Sequence, residues 1–309
     1  MSITAEAPIA ATAEPHVRPA APLPDVLPPA KARGRVATLV RRYPTIVIGG
    51  ALLLLIVLMA VLAPYLWTVD YEMQVRGQYL RPPSARYWFG SDRYGRDIYS
   101  RVIYGTRISL EVGFAVAIFS SLFGLAIGLL SGFLRWLDGI VMRIMDGLMA
   151  IPSILLAVAL MVLLRGNQWN VIIAITVAEI PRVSRLVRGV VLSLREQPYV
   201  EAAIASGTSS LRIIWRHILP NTLAPLTVQA TYICASAMIT EAILSFIGAG
   251  TPPTIPSWGN IMADGRAVWL VKPWFVAFPA VFLSITVLAV NLLGDGLRDA
   301  LDPRMAKRV

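Results

Sequence analysis

Two carboxylates, Glu179 and Glu241, stand inside long apolar runs of this 309-residue chain. An ionisable group in a membrane-length apolar segment is a candidate for lining a substrate path. The alternative for both is a carboxylate near a helix end that reaches the interface. Ser245 and Asn291 sit in similar apolar surroundings, although such residues often only bond one helix to the next. Little else could do chemistry. The pattern GxxxxGK[ST] is absent, and none of Lys31, Lys272 and Lys307 follows a glycine, so no backbone cradle for nucleotide phosphates is encoded. His16 and His217 lie far apart, which leaves no HExxH zinc pair. No paired nucleophile and base, and no paired aspartates, occur within the apolar runs. The single cysteine, Cys234, cannot form an intrachain disulfide and reads as a buried, inert thiol. The chain therefore reads as non-catalytic, with no metal or cofactor of its own. Work against a gradient would need energy from a partner.

The elements that position these residues are membrane spans. The chain is 56% hydrophobic and 15% charged, more apolar and less charged than a soluble domain. Runs of about 20 apolar residues explain the excess. The net charge of +10 lies mostly in loops beside these runs, which fits lipid topology rather than nucleic acid. Residues 1–44 read as a disordered Ala/Pro-rich tail followed by a basic flank, with no apolar core of a cleavable signal peptide. Lys31, Arg33, Arg35, Arg41 and Arg42 place this end in the cytoplasm. The first span covers about 45–67, and a polar loop covers 68–107. A core of five further spans, at about 109–134, 142–164, 169–187, 222–247 and 274–293, occupies 108–296. A loop at 188–221 lies within that core. Residues 297–309 form a basic tail. Pro152 kinks the third span, and Glu179 with Pro181 interrupts the fourth. The expected fold is thus all-α, a polytopic membrane protein with six transmembrane helices and both termini cytoplasmic. Loop 68–107 departs from the positive-inside bias with seven arginines, against only four acids.

The loop holds Tyr199–Pro220, YVEAAIASGTSSLRIIWRHILP. Pro198 suits a first helical turn, and Glu201 there suits the helix dipole. Gly207 stops this helix, and Thr208, Ser209 or Ser210 caps a second helix over Leu211–Leu219 that ends before Pro220. From spacing alone, an amphipathic helix on the membrane surface is the competing reading. Glu201-Ala202-Ala203, Gly207, Leu219 and Pro220, however, resemble the EAA loop of bacterial ABC importer permeases throughout its spacing. His217 stands where isoleucine is usual, and Arg-His-Ile-Leu-Pro-Asn is similar to the dipeptide and oligopeptide branch.

A second resemblance to that branch lies in Phe89–Leu110, FGSDRYGRDIYSRVIYGTRISL, where Ser91 replaces the usual threonine. Glu241–Gly248, Pro256–Asn260 and Asn291–Arg304 also resemble it, so the likeness covers about residues 35–305. Asp92, Arg96, Asp97, Arg101 and Arg107 can form a charge network at the membrane edge. The first four are candidates for a loop clamp or a contact with a binding protein. The resemblance implies a type I ABC importer permease fold in a bacterial inner membrane. It implies a second permease subunit, one or two ABC ATPase subunits that carry ATP and Mg, and an external solute-binding protein that delivers short peptides. Glu201, Ala202, Ala203, Gly207, Leu219 and Pro220 would then couple to the ATPase, and Glu241, Ser245 and Asn291 are candidates for the translocation path. A self-contained secondary transporter or channel is the alternative; it would need its own coupling groups and usually repeats, and no repeat is evident.

Overall fold

The computed structural model describes residues 42–164 and 167–301. The Ala/Pro-rich tail, with Lys31, Arg33, Arg35 and Arg41, and the stretch with Arg304, Lys307 and Arg308 lie outside the described residues. Among the described residues every regular element is helical. The helices are α1 (Pro44–Val61), α2 (Ile98–Phe133), α3 (Arg135–Met149), α4 (Ser153–Leu164), α5 (Gln168–Arg195), α6 (Pro198–Ala205), α7 (Ser210–Ile213), α8 (Leu219–Phe246), α9 (Trp258–Gly265) and α10 (Trp274–Leu301).

Long helix α2, with 36 residues, is the axis of the fold. At about 1.5 Å per residue it runs about 54 Å, more than a bilayer core requires. It starts at Ile98, eleven residues before the expected span, because Asp97 caps it by accepting from the Ser100 amide at 2.9 Å. Its far half packs on α5 through three glycines spaced four apart. A Cβ added at Gly124, Gly128 or Gly132 would come within 2.4, 2.6 or 2.8 Å of Val183, Val187 or Val191. Small residues at this spacing let membrane helices approach closely. The same device joins α1 to α10, where Gly49 faces the Leu293 amide and Gly296 faces Ile46.

Four helical segments are long and apolar enough to cross a membrane among the described residues, or five if α3 and α4 form one bent span. Helix α5 falls outside that count. It is 28 residues long, but Glu179, Arg182, Arg185, Arg188 and Arg195 lie along it. It continues through Pro181 without interruption, held by its packing on α2.

Several sequence boundaries need correction. The first span ends as an α-helix at Val61, and a 3-10 turn at Ala63–Tyr65 follows around Pro64. The third span is not one kinked helix. Helices α3 and α4 meet at 90° across 150–152. Pro152 has no N–H to extend the ladder and clashes with the preceding turn. Helix α3 exposes Trp136, Ile140 and Ile144, while Asp138 and Asp146 on it pair with Arg188 and Arg185 of α5. The second loop helix does not end before Pro220. Helix α7 passes through a π-turn at Ile214–Ile218 straight into α8. The wider turn accommodates the missing proline N–H, and Asn221 Nδ2 donates to the His217 carbonyl at 2.6 Å. Finally, residues 297–301 continue α10 rather than beginning a tail, because Gly296 seats that end on the first turn of α1.

Candidate functional site

The loop between α5 and α8 is built from short-range rules. Gln197 precedes α6 with extended backbone, and Pro198 occupies its first turn. The Ser206 amide donates to Ala202, the Gly207 amide to Ile204, and the Thr208 amide to Ala203, which closes the helix. Gly207 has φ +74, the left-handed conformation glycine adopts without strain, and an added Cβ there would meet nothing within 4 Å. The glycine is therefore required by the backbone and not by crowding. One face of α6 is anchored: Val200 is fully buried, and Ala203 packs on the core. The other face presents Glu201, Ala202 and Ile204, and beyond the turn Leu211 and Trp215, the latter 65% exposed. Arg195 fastens the loop's root to α2, donating through Nη1 to the Gly132 and Phe133 carbonyls at 3.0 and 3.1 Å. Glu201, Ala202 and Gly207 thus lie exposed along one short helix and its stop, with Ala203 on its packed side. Leu219 and Pro220 lie where the chain re-enters the bundle.

The opposite end of α2 carries a buried charge cluster. Asp92 Oδ2 accepts from Arg96 Nε at 2.5 Å and from Arg101 Nη1 at 3.0 Å. Asp264, on α9, accepts from Arg96 and Arg101 through Oδ2 at 3.0 and 2.9 Å, and from Arg93 through Oδ1 at 3.0 Å. Arg101 is only 1% exposed. Two predicted members stand elsewhere. Asp97 is in none of the ion pairs among the described residues, and Arg107 donates to the Ala60 and Val61 carbonyls at the end of α1. Asp264 was missed. Its signal was the surplus of arginine over acid in 68–107, which called for a carboxylate from another segment.

Glu241 does not reach the protein surface. It is 0% exposed and accepts from Ser245 Oγ at 2.7 Å through Oε1. Ser245, Thr251, Ser257 and Asn260 continue a buried polar knot, with Asn260 Nδ2 donating to Thr251 Oγ1 at 2.9 Å. The chain after α8 folds back over Glu241, and Gly259 sits against Ala242 so closely that a Cβ would lie 2.7 Å from its Cα. Asn291 lies apart, in a cleft with Ser153, Tyr232, Ser236, Thr240 and Ile243. The structure therefore joins Glu241 with Ser245 and separates both from Asn291. Glu179 is also buried; Arg182 Nη1 lies 3.1 Å from its Oε2 without hydrogen-bond geometry. Among the described residues no group of three or more metal-ligating side chains converges.

Comparison with known proteins gives consistent matches. The profile of the "Binding-protein-dependent transport system inner membrane component" family matches residues 120–307. That of the "N-terminal TM domain of oligopeptide transport permease C" matches residues 40–83. "Probable peptide ABC transporter permease protein y4tQ" of Sinorhizobium fredii is 50% identical over 88% of this chain and 94% of its own length. The oligopeptide transport system permease protein OppC of Bacillus subtilis is 41% identical over 84% of this chain and 86% of its own. The glutathione transport system permease protein GsiD of Pectobacterium atrosepticum is 40% identical over 85% and 88%. Among solved structures, an inward-facing MetNI methionine ABC transporter chain aligns with TM-score 0.55 at 23% identity, covering 65% of this chain and 96% of that one. This last likeness bears on the fold alone.

Proposed function

Because the chain belongs to the binding-protein-dependent transport system inner membrane component family, we propose that it is the transmembrane subunit of an ATP-driven importer of short peptides. It is an integral membrane permease subunit, and the names of its relatives support peptide cargo. In this reading α1, α2, the bent pair α3–α4, α5, α8 and α10 make six spans with both termini in the cytoplasm. The chain lines half of the path, and a second permease lines the rest. A solute-binding protein delivers the peptide on the outer side of the bacterial inner membrane. ATPase subunits carrying ATP and Mg seat α6 in a cleft, so that their closure moves α5 and α8. Glu201, Ala202 and Gly207 belong to the docked surface. Leu219 and Pro220 fix the return into α8. Asn291, in its cleft, and the Glu241–Ser245 pair are the polar groups nearest to a path role.

The observation that carries this reading is the protruding turn of α6, anchored by Val200 and Ala203 and exposing Ala202. The test is cross-linking from a cysteine in cells that also express the neighbouring transport genes. Ala202→Cys should link to an ATP-binding subunit in a manner altered by ATP, whereas Val200→Cys should not. Equal reaction at both positions, or none at Ala202 with the protein inserted, would overturn the coupling role.

A further inference from the structure

The segment between α1 and α2 forms an open cavity of about 480 Å³. Trp67, Trp88, Tyr87 and Tyr99 give it aromatic walls, and Asp97 and Arg86 also line it. The rings contact one another: Trp88 and Tyr99 have centroids 4.8 Å apart, and Trp67 and Trp88 6.3 Å apart. The walls are pinned. The Tyr99 hydroxyl donates to the Leu66 carbonyl at 2.9 Å, and the Val69 amide donates to Ser100 Oγ at 2.9 Å. Trp67 is held at φ 52 while its side chain is 83% exposed. A bulky residue rarely adopts that backbone, and strain of this kind gathers at ligand sites.

Asp97 adds charge to these walls. It is 7% exposed, and its Oδ2 accepts from the Ser100 amide and hydroxyl at 2.9 and 2.6 Å. Among the described residues its Oδ1 has no hydrogen-bond partner. Three arginines of the adjacent cluster pair with Asp92 and Asp264, and among the described residues Asp97 has no ion-pair partner. Burial pushes its carboxyl up, which is the response of a buried acid lacking a countercharge. Aromatic faces beside an unmatched carboxylate favour an organic cation with an apolar body. Arg86 brings the opposite charge to the same cavity.

We propose that this cavity is a peptide subsite of the permease itself. The protonated amino end meets Asp97, an apolar side chain lies on Trp67 and Trp88, and the carboxylate faces Arg86. The choice of a peptide rests on the cargo proposed above; the preference for an amine rests on the cavity alone. The test is calorimetric titration of the full chain in lipid nanodiscs with leucyl-leucine and with N-acetyl-leucyl-leucine. Acetylation should weaken binding at least about tenfold, the loss of one charge-assisted hydrogen bond. Asp97→Asn keeps an oxygen to cap α2 and should abolish the preference for the free amine. Trp88→Leu, away from the cap, should weaken both ligands. Equal affinity for the two peptides, no binding of either, or a preference that survives Asp97→Asn would overturn the proposal. Peptide transport without binding at this cavity would remove the subsite and leave the importer reading intact. Amine-selective binding at Asp97 without peptide transport would support the subsite and remove the cargo.

Discussion

Neutralising Asp264 should loosen the whole end of the molecule that α2 and α9 share. The Asp264 carboxylate accepts from three guanidiniums at 2.9 to 3.0 Å, and one of them, Arg101, is essentially buried. In Asp264→Asn a single carboxylate, Asp92, is left for both Arg96 and Arg101. Removing one partner of a buried pair costs about 3–5 kcal/mol, because the other charge stays buried and unmatched. The Asp264 side chain keeps 16% exposure, and the Arg93 side chain is 44% exposed, so screening lowers the total. The expected loss is about 2–4 kcal/mol, against about 0–1 kcal/mol for Arg93→Ala, which removes only the exposed arm. Thermal unfolding of the purified chain in detergent, followed by retention of a monodisperse peak, ranks the two variants. Arg101→Met combined with Asp264→Leu should recover much of the loss, since an apolar replacement of a buried pair is often neutral. Equal damage from Arg93→Ala and Asp264→Asn would refute the assignment of Arg101 as the buried anchor. So would a double variant no better than Asp264→Asn.

Gly207→Ala should lower stability by about 1 kcal/mol through its left-handed backbone alone, and Gly207→Asn by less, because asparagine tolerates that conformation. Melting curves of the two variants check this order. Gly132→Ala should cost about 1–3 kcal/mol by crowding Val191, whereas Gly139→Ala, with nothing within 4 Å of the new Cβ, should be neutral or stabilising in the same assay. The raised carboxyl of Asp97 favours its protonated form in the fold, so its contribution is fully present below the unfolded value and is lost as pH rises through the folded one. Asp97→Asn should therefore melt above the parent at neutral pH, and the gap should close as pH falls.

What could be read from the sequence was local or periodic. The apolar runs marked α1, α2, α8 and α10, because a span needs only length and hydrophobicity to announce itself. The order Pro198, Glu201, Gly207 marked a helix and its stop, because caps act within a turn. Extents were less legible. Asp97 starts α2 early by a side-chain cap on Ser100, and Pro152 breaks a run that hydropathy alone would leave continuous. Long-range pairing was least legible of all. Asp92, Arg93, Arg96 and Arg101 lie in one stretch, yet the carboxylate that joins them, Asp264, comes from α9. Glu241 looked close to a helix end, but Gly250 and Gly259 allow the following chain to lie over it and bury it. Ala203 looked as available as Ala202, and only the packing of α6 on the core separates them.

The two ends of α2 now bear on each other physically. Arg101, near one end, is locked to α9, and the Gly132 and Phe133 carbonyls, at the other, hold Arg195 beside α6. Between them lie about 30 residues of helix, about 46 Å, and its last part is held against α5 by the glycine stripe at Gly124, Gly128 and Gly132. Where α2 and α5 meet at these glycines the contacts are steric and have little slack. The root of the α6 loop is thus tied to α2 through Arg195 and the Gly132 and Phe133 carbonyls, and the same helix carries Arg101 of the Asp92–Asp264 cluster at its other end.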